Sequence, residues 1–246
     1  MRYEGTVMGM PVAMEIVDGA GRPADFEAVM AYFTHVDRVF STYKPDSEIS
    51  RLNRGEMARA QCCGEVRNAL ELCEKTTLET KGYFDMRQGD KLDPSGLVKG
   101  LAISEAARLL RRRGMRNFYV EIGGDIEVSG HDAGGEKWRV GIRNPFDTAC
   151  VAKIVALEDR GIATSGTYAR GGHIYDPVNQ RPAAEIASIR VIGPDVYEAD
   201  RFATAACAMG RKGIYFIELL PGFDAFMVTN RRVTYATSGF EQYVSE

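Results

Sequence analysis

The chain has 246 residues, of which 45% are hydrophobic and 26% charged, and its formal net charge is −3 at pH 7. This length suffices for one large domain or for two closely packed lobes, and we expect residues 1–246 to form one such unit. Acidic and basic residues alternate without a basic stripe, which argues against nucleic acid as a partner.

The N-terminal segment alternates apolar and polar residues, which predicts a β-strand and not a signal peptide. No apolar run approaches the ~18 residues that a membrane-spanning helix requires. We therefore expect a cytoplasmic protein without membrane insertion. The cysteines match no zinc-binding spacing, so we expect reduced and mostly buried thiols at Cys62, Cys63, Cys73, Cys150 and Cys207.

Helices dominate the predictions for the first half of the chain. Apolar residues recur at steps of three and four between Phe26 and Phe40, which predicts a helix that ends near Tyr43. A second helix is predicted over residues 65–80. A third covers residues 99–114 and stops at its glycine.

Strand patterns dominate the second half, at residues 117–130, 137–145, 152–166 and 187–194. A helix at 198–210 and a closing β-hairpin that turns at Asn230 complete the chain. Because helices come first and strands mostly later, the order favours an α+β fold with mixed or antiparallel sheets over a doubly wound parallel sheet.

The predicted helix at 198–210 carries Asp200 and Thr204 four residues apart, so a carboxylate and a hydroxyl share one helical face. One interpretation is that Asp200 caps the helix and Thr204 packs. The other is a Mg²⁺ site, because this small cation accepts carboxylate, hydroxyl and backbone carbonyl oxygens.

Three further stretches carry groups capable of chemistry, each with an ordinary structural alternative. His173 lies between glycines and an Asp-Pro turn, where it is either a general base or a surface histidine. Gly123 and Gly124 form either a bulge or a close approach to a ligand. The segment Thr164, Ser165 and Gly166 either binds phosphate or ribose or makes a simple turn.

The stretch LDPSGLVKG, from Leu92 to Gly100, combines an acid, glycines and a lysine. Its spacing is not that of a P-loop, which has Gly, four residues, and then Gly-Lys-Ser/Thr. From these residues alone it is either a phosphate-handling loop of another kind or a turn before a helix.

Eight stretches, taken in order, resemble the ApbE family of FAD:protein FMN transferases. The resemblance runs from about Thr6 to the end of the chain, and it depends on the order and spacing of the stretches together. They are TVMGM, STYKPDSEISRLN, KGYFD, LDPSGLVKG, EIGGDIEVSG, ATSGTY, GGHIYDP and EADRFATAACAMG.

This resemblance implies an α+β fold with the nucleotide site in a cleft between two lobes. It also implies an enzyme that binds FAD and transfers its FMN half to a Thr, sometimes Ser, hydroxyl of an acceptor flavoprotein, with release of AMP and help from Mg²⁺. An FAD pyrophosphatase that yields FMN and AMP, and a non-catalytic FAD-binding protein, stay as alternatives.

Carried over residue by residue, the resemblance implies contacts to the flavin nucleotide at Met8 and Tyr43. It implies further contacts in the segment Tyr83, Phe84 and Asp85, where Phe84 packs and Asp85 makes the polar contact.

In LDPSGLVKG, Asp93 matches a nucleotide-binding acid, the carbonyl of Gly96 a metal ligand, and Lys99 a flavin contact. Asp200 and Thr204 match the remaining metal ligands.

The hydroxyl of an acceptor threonine is a poor nucleophile without a base, and His173 is the residue we expect to supply it. Ile174, beside it, is expected to contact the nucleotide.

Many family members read Asp-Leu-x-Ala-Ile-Ala-Lys-Gly where this chain reads DPSGLVKG, so Pro94 and Gly96 depart from the family pattern. A main-chain ligand survives both changes.

Overall fold

The computed structural model describes residues 1–166 and 175–245. Its helices are α1 (Pro23–Phe40), α2 (Glu48–Asn53), α3 (Gly64–Glu79), α4 (Ser95–Arg112), α5 (Val196–Ala208) and α6 (Lys212–Glu218), with short 3₁₀ helices at Arg59–Gln61 and Phe240–Tyr243.

The strands are β1 (Arg2–Val7), β2 (Met10–Ile16), β3 (Arg87–Gln88), β4 (Lys91–Leu92), β5 (Phe118–Ile122), β6 (Asp125–Ser129), β7 (Trp138–Asn144), β8 (Asp147–Leu157), β9 (Arg160–Gly166), β10 (Tyr175–Asp176), β11 (Arg181–Pro182), β12 (Ile186–Gly193), β13 (Asp224–Thr229), β14 (Thr234–Ala236) and β15 (Val244–Ser245).

Eight strands form the main sheet in the order β1-β2-β5-β6-β9-β12-β13-β14, and each neighbouring pair is antiparallel. Helices α1, α4, α5 and α6 pack on one face of this sheet and enclose the largest core cluster. A three-stranded sheet in the order β15-β8-β7 covers part of the other face and encloses a second core. The observed fold is therefore the α+β arrangement that the chain order predicts.

The central strand β6 is buried on both faces. Ile126 and Val128 belong to the core beneath the small sheet. Because side chains alternate along a strand, Asp125 and Glu127 point to the opposite face, where they contact α4 and α5. This strand thus carries two carboxylates into the layer between the main sheet and its helices.

Helices α4 and α5 cross at close range beside this strand. A Cβ atom at Gly100 would lie 2.6 Å from Asp200 Cβ and 2.8 Å from the Val196 carbonyl oxygen, so only glycine fits there. The backbone N–H of Gly100 donates to Asp200 Oδ2 at 2.8 Å. Because Gly100 has no side chain, its backbone N–H can approach the buried carboxylate of Asp200.

Several predicted elements differ from those observed. The N-terminal strand is a hairpin, because Met8 and Gly9, with φ of 52° and 70°, form the tight turn between β1 and β2. The strand predicted at 152–166 breaks near Asp159, whose φ is 48°, and its halves belong to different sheets. Helices α2 and α6 were not predicted.

Helix α4 starts at Ser95, four residues before the predicted start, and Asp93 Oδ1 accepts the Ser95 N–H at 3.0 Å in the turn that leads into the helix. The helix predicted over residues 65–80 and the hairpin turn at Asn230 are confirmed. No helix in the described ranges is long and apolar enough to cross a membrane.

Candidate functional site

A cleft of about 1640 Å³ opens where α4 and α5 meet the ends of the main sheet. Every predicted site residue within the described part of the chain lines it. These residues are Met8, Tyr43, Tyr83, Phe84, Asp85, Asp93, Gly96, Lys99, Thr164, Ser165, Gly166, Asp200 and Thr204. The predicted base His173 and nucleotide contact Ile174 lie outside the described residues.

The three predicted metal ligands come from two helices that are distant in sequence. Thr204 Oγ1, on α5, lies 3.3 Å from the carbonyl oxygen of Gly96 in the first turn of α4. Ser165 Oγ, on β9, lies 3.3 Å from the same Thr204 Oγ1. Asp200 lies one turn before Thr204 on α5 and is only 3% exposed. The Gly96 carbonyl and the Thr204 and Ser165 hydroxyls therefore lie close together, and Asp200, one helical turn away, lines the same cleft.

Asp200 does not cap its helix, which corrects the first interpretation above. The cap is Asp195, whose Oδ1 accepts the Glu198 N–H at 2.9 Å. Asp200 lies one and a half turns further along and accepts the Gly100 N–H across the helix crossing. Its carboxylate therefore lies at the interface between α4 and α5, beside the cleft that Asp200 also lines.

A second carboxylate, that of Asp125, is fully buried next to this cluster. Its Oδ2 forms an ion pair with Lys99 Nζ at 2.5 Å, without a well-directed hydrogen bond from any described residue. Its Oδ1 accepts the Thr164 N–H at 2.9 Å. Asp125 thus ties β6 to α4 and β9, directly behind the predicted ligands.

Charge around this cluster favours a cation. Burial raises the pKa of the Asp200 carboxyl; the ammonium group of Lys99 lowers this pKa, and the carboxylate of Asp125 raises it. Among the described residues, two buried carboxylates thus share one lysine. An additional positive charge would stabilise both in their ionised form.

The donor set fits Mg²⁺. This ion prefers oxygen ligands and is commonly held by one or two carboxylates, with the rest supplied by waters and substrate phosphates. The described residues contain no group of three or more His, Cys, Asp or Glu side chains that could hold a metal ion. A cation here would therefore depend on the Gly96 carbonyl and the Thr204 hydroxyl as well as on Asp200.

Two tight hairpin turns form one edge of the cleft. Met8 and Gly9 connect β1 to β2, while Gly123 and Gly124 connect β5 to β6 with φ of 59° and 95°. A Cβ atom at Gly123 would lie 3.0 Å from Met10 Sδ. The glycine pair is therefore a hairpin turn that exposes backbone to the cleft, and not a bulge.

Aromatic residues line another part of the cleft, and they differ in how far their side chains are exposed. Tyr43 follows α1 and is 95% exposed, so its ring is available for stacking. Tyr83 is half-buried and lines the cleft. Phe84 is only 2% exposed and belongs to the core formed with α3 and Leu97, as expected for a packing residue. Asp85 is exposed and accepts the Arg87 N–H.

Sequence reasoning missed Asp125 as a site residue. The available signal was the pattern DIEVS, in which acidic residues alternate with Ile126 and Val128 in a strand that follows two glycines. An acid at that place in a central strand must meet a partner. The partner could not be identified from sequence, because Lys99 comes from a helix that precedes the strand.

The chain is similar to known proteins in both sequence and fold. The model of the ApbE family matches residues 8–91 and 87–227. The FAD:protein FMN transferase of Salmonella typhimurium is 32% identical over 147 residues, which cover 56% of this chain and 42% of that protein. The one from Haemophilus influenzae is 25% identical over 275 residues, covering 84% and 80%. For the first curated relatives, the match spans about half of their length.

Solved structures show the same fold over the whole chain. The flavin transferase ApbE from Vibrio cholerae superposes with a TM-score of 0.85 at 23% identity, covering 99% of this chain and 98% of that one. The ApbE protein from Thermotoga maritima gives a TM-score of 0.88 at 20% identity, covering 100% and 99%. The family model matches most of the length of the chain, and the chain therefore belongs to the ApbE family.

Proposed function

We propose that the chain transfers the FMN moiety of FAD to a threonine or serine hydroxyl of an acceptor flavoprotein, with release of AMP and with Mg²⁺ as the cofactor. One observation carries this proposal. The cleft is lined by Gly96, Asp200 and Thr204, from segments about 100 positions apart, and their carbonyl, carboxylate and hydroxyl oxygens are of the ligand types that Mg²⁺ accepts. The relatives named FAD:protein FMN transferase supply the reaction.

The ion would be held by the Gly96 carbonyl, the Asp200 carboxylate and the Thr204 hydroxyl. When bound, Mg²⁺ neutralises the charge of the pyrophosphate and so favours attack on its phosphorus. Asp125 forms an ion pair with Lys99, which lines the cleft. We assign Lys99 to the flavin contact predicted for it.

The chemistry is a single displacement at the phosphorus of the FMN half. The acceptor hydroxyl oxygen forms the new P–O bond, the bond to the AMP phosphate breaks, and AMP leaves. The hydroxyl proton passes to a base, which we assign to His173 on its sequence context. The described residues on either side of that segment, Gly166 and Tyr175, both line the cleft.

The nucleotide would be bound by residues on the two edges of the cleft. Tyr43 is the candidate for stacking, since its ring is exposed there. Met8, Tyr83, Asp85 and Asp93 are assigned to the flavin nucleotide, as predicted. Thr164, Ser165 and Gly166 offer hydroxyl and amide groups to phosphate or ribose, and Ile174 keeps its predicted contact with the nucleotide.

The test separates FAD binding from FMN transfer. Purified wild type, Asp200→Asn and Thr204→Ala are mixed with FAD, Mg²⁺ and an acceptor flavoprotein domain, and the acceptor mass is measured. FAD affinity is measured independently by flavin fluorescence. Glu4→Gln, an exposed carboxylate on β1, is the matched control.

We expect transfer to fall about 100-fold or more in both site variants, since they lose stabilisation of the transition state, while FAD affinity changes far less. Equal and mild losses of binding and transfer would favour a non-catalytic FAD-binding protein. Free FMN without acceptor labelling, with every acceptor tried, would favour the pyrophosphatase.

A further inference from the structure

A second groove, of about 670 Å³, opens directly beside the cleft. Tyr83 and Ala208 line both, so the two cavities are contiguous at the C-terminal end of α5. The groove continues along the β10–β11 hairpin and the start of α6. A chain lying in it would lead into the cleft.

Helix α6 forms one wall of this groove because of a single glycine. A Cβ atom at Gly213 would lie 2.0 Å from the Ala206 carbonyl oxygen of α5, so the two helices touch backbone to backbone. This contact fixes Lys212 and Tyr215 beside the groove. Tyr215 is 67% exposed, so its ring is accessible from the groove.

The charge of the groove is positive. Its lining includes three basic side chains, Arg181, Arg211 and Lys212, and two acidic ones, Asp176 and Glu185. Glu185 is fully engaged, since its two carboxylate oxygens accept the side-chain and backbone N–H groups of Arg211.

Asp176 is 4% exposed and accepts hydrogen bonds from Val178 and Asn179, which hold the turn of the β10–β11 hairpin. The guanidinium of Arg181 lies 3.8 Å from it and its side chain is 73% exposed. Lys212 makes no ion pair with any residue in the described ranges. Arg181 is therefore exposed but paired with Asp176, and Lys212 presents its positive charge to the solvent in the groove.

We propose that this groove binds the acceptor polypeptide, as an extended segment with acidic residues close to the threonine that receives FMN. The inference rests on the function proposed above, in which an acceptor hydroxyl must reach the cleft. The flanking residues of that segment must then cover the surface next to the cleft, and the contiguous groove is positively charged. Tyr215 supplies an exposed aromatic surface for the same segment.

Binding is measured separately from transfer, by fluorescence anisotropy with two labelled synthetic peptides. Each has one central threonine, flanked by Asp residues in the first peptide and by Asn residues in the second. Arg181→Glu and Lys212→Glu reverse the charge of the groove. Lys137→Glu reverses an exposed charge that lines neither cavity and serves as the control.

We expect the wild type to bind the Asp peptide more tightly than the Asn peptide, with a preference that falls as salt is added. Each groove variant should weaken binding of the Asp peptide about fivefold, because attraction becomes repulsion, and Lys137→Glu should match the wild type. Equal affinity of the wild type for both peptides, or groove variants that bind like the wild type, would overturn the inference.

The same samples, supplied with FAD and Mg²⁺, report FMN addition to the peptide by mass spectrometry. Preferential binding of the Asp peptide without FMN addition would support the groove and refute the transferase. Transfer that is insensitive to both groove variants, at peptide concentrations below saturation, would refute the groove and support the transferase.

Discussion

The ion pair between Lys99 and Asp125 places two charges in the protein interior, beside the buried carboxyl group of Asp200. The side chain of Lys99 is 19% exposed and that of Asp125 is fully buried. Taking such groups out of water is costly, and each depends on its partners for compensation. The two members of the ion pair are not equivalent, because loss of Lys99 would leave both Asp125 and Asp200 without its positive charge, whereas loss of Asp125 leaves Lys99 beside Asp200.

This asymmetry predicts unequal effects of two substitutions. Lys99→Met should lower the free energy of unfolding at pH 7 by about 3 kcal/mol, and Asp125→Asn should lower it by less. The double variant should be more stable than Lys99→Met alone, since it buries one carboxylate fewer. Urea unfolding measures all three. A double variant whose loss equals the sum of the single losses would contradict this coupling.

Glu127 is the second carboxylate of β6 and predicts a pH dependence of stability. It accepts the Val196 N–H at 2.8 Å and lies 3.2 Å from Arg111 Nη2, yet burial outweighs both and raises its pKa from 4.5 to about 7. The folded chain therefore binds this proton more tightly than the unfolded chain. Its contribution to stability is complete below pH 4.5 and is lost as the pH rises through 7.

We expect this group to lower the free energy of unfolding by up to about 3 kcal/mol between pH 4.5 and 8. In Glu127→Gln the fall over that range should be smaller by the same amount, because nothing titrates at this position. Unfolding curves of both proteins at a series of pH values give the comparison. Parallel pH profiles would show that Glu127 has an ordinary pKa.

At the scale of elements, the crossing of α4 and α5 determines the site geometry. Gly96 and Gly100 lie one turn apart on α4, but they face different surroundings. A Cβ atom at Gly96 would meet Phe84 and Thr204 at 3.4 Å, which is ordinary contact, whereas at Gly100 it would overlap Asp200. The two positions form a matched pair for testing how close the helices must be.

Gly96→Ala should fold and transfer FMN like the wild type, because alanine favours the helix and the methyl group fits. Gly100→Ala should be destabilised by a few kcal/mol and lose most of its Mg²⁺ affinity, since α5 must move and carries Asp200 and Thr204 with it. Thermal unfolding and Mg²⁺ titration by calorimetry measure both effects. Unchanged Mg²⁺ affinity in a folded Gly100→Ala variant would exclude this role of the crossing.

Helices with a long periodic pattern were predictable from sequence, and short helices were not. Helices α1 and α3 each repeat their apolar positions over several turns. Helix α6 has seven residues and buries only Gly213, Ile214 and Ile217, too few to distinguish a helix from an apolar loop. Its position instead depends on contact with α5, which local sequence does not encode.

At the scale of the whole molecule, the antiparallel sheet gathers residues that are far apart in sequence. The order of the eight stretches indicated the family and the residues around the cleft. It did not predict that Gly100 would contact Asp200, nor that Asp125 would pair with Lys99, since both contacts arise when α4 and α5 pack over the sheet. Sequence therefore predicted which residues line the cleft better than it predicted the contacts between them.

AMP release tests the central claim most directly. Wild-type protein is incubated with FAD, with and without acceptor, in Mg²⁺ and again after removal of Mg²⁺ with EDTA, and AMP is quantified by chromatography alongside the mass of the acceptor. We predict AMP in a one-to-one ratio with labelled acceptor, and little AMP when either acceptor or Mg²⁺ is omitted. Equal AMP release without acceptor, or acceptor labelling that persists in EDTA, would contradict Mg²⁺-dependent FMN transfer at Gly96, Asp200 and Thr204.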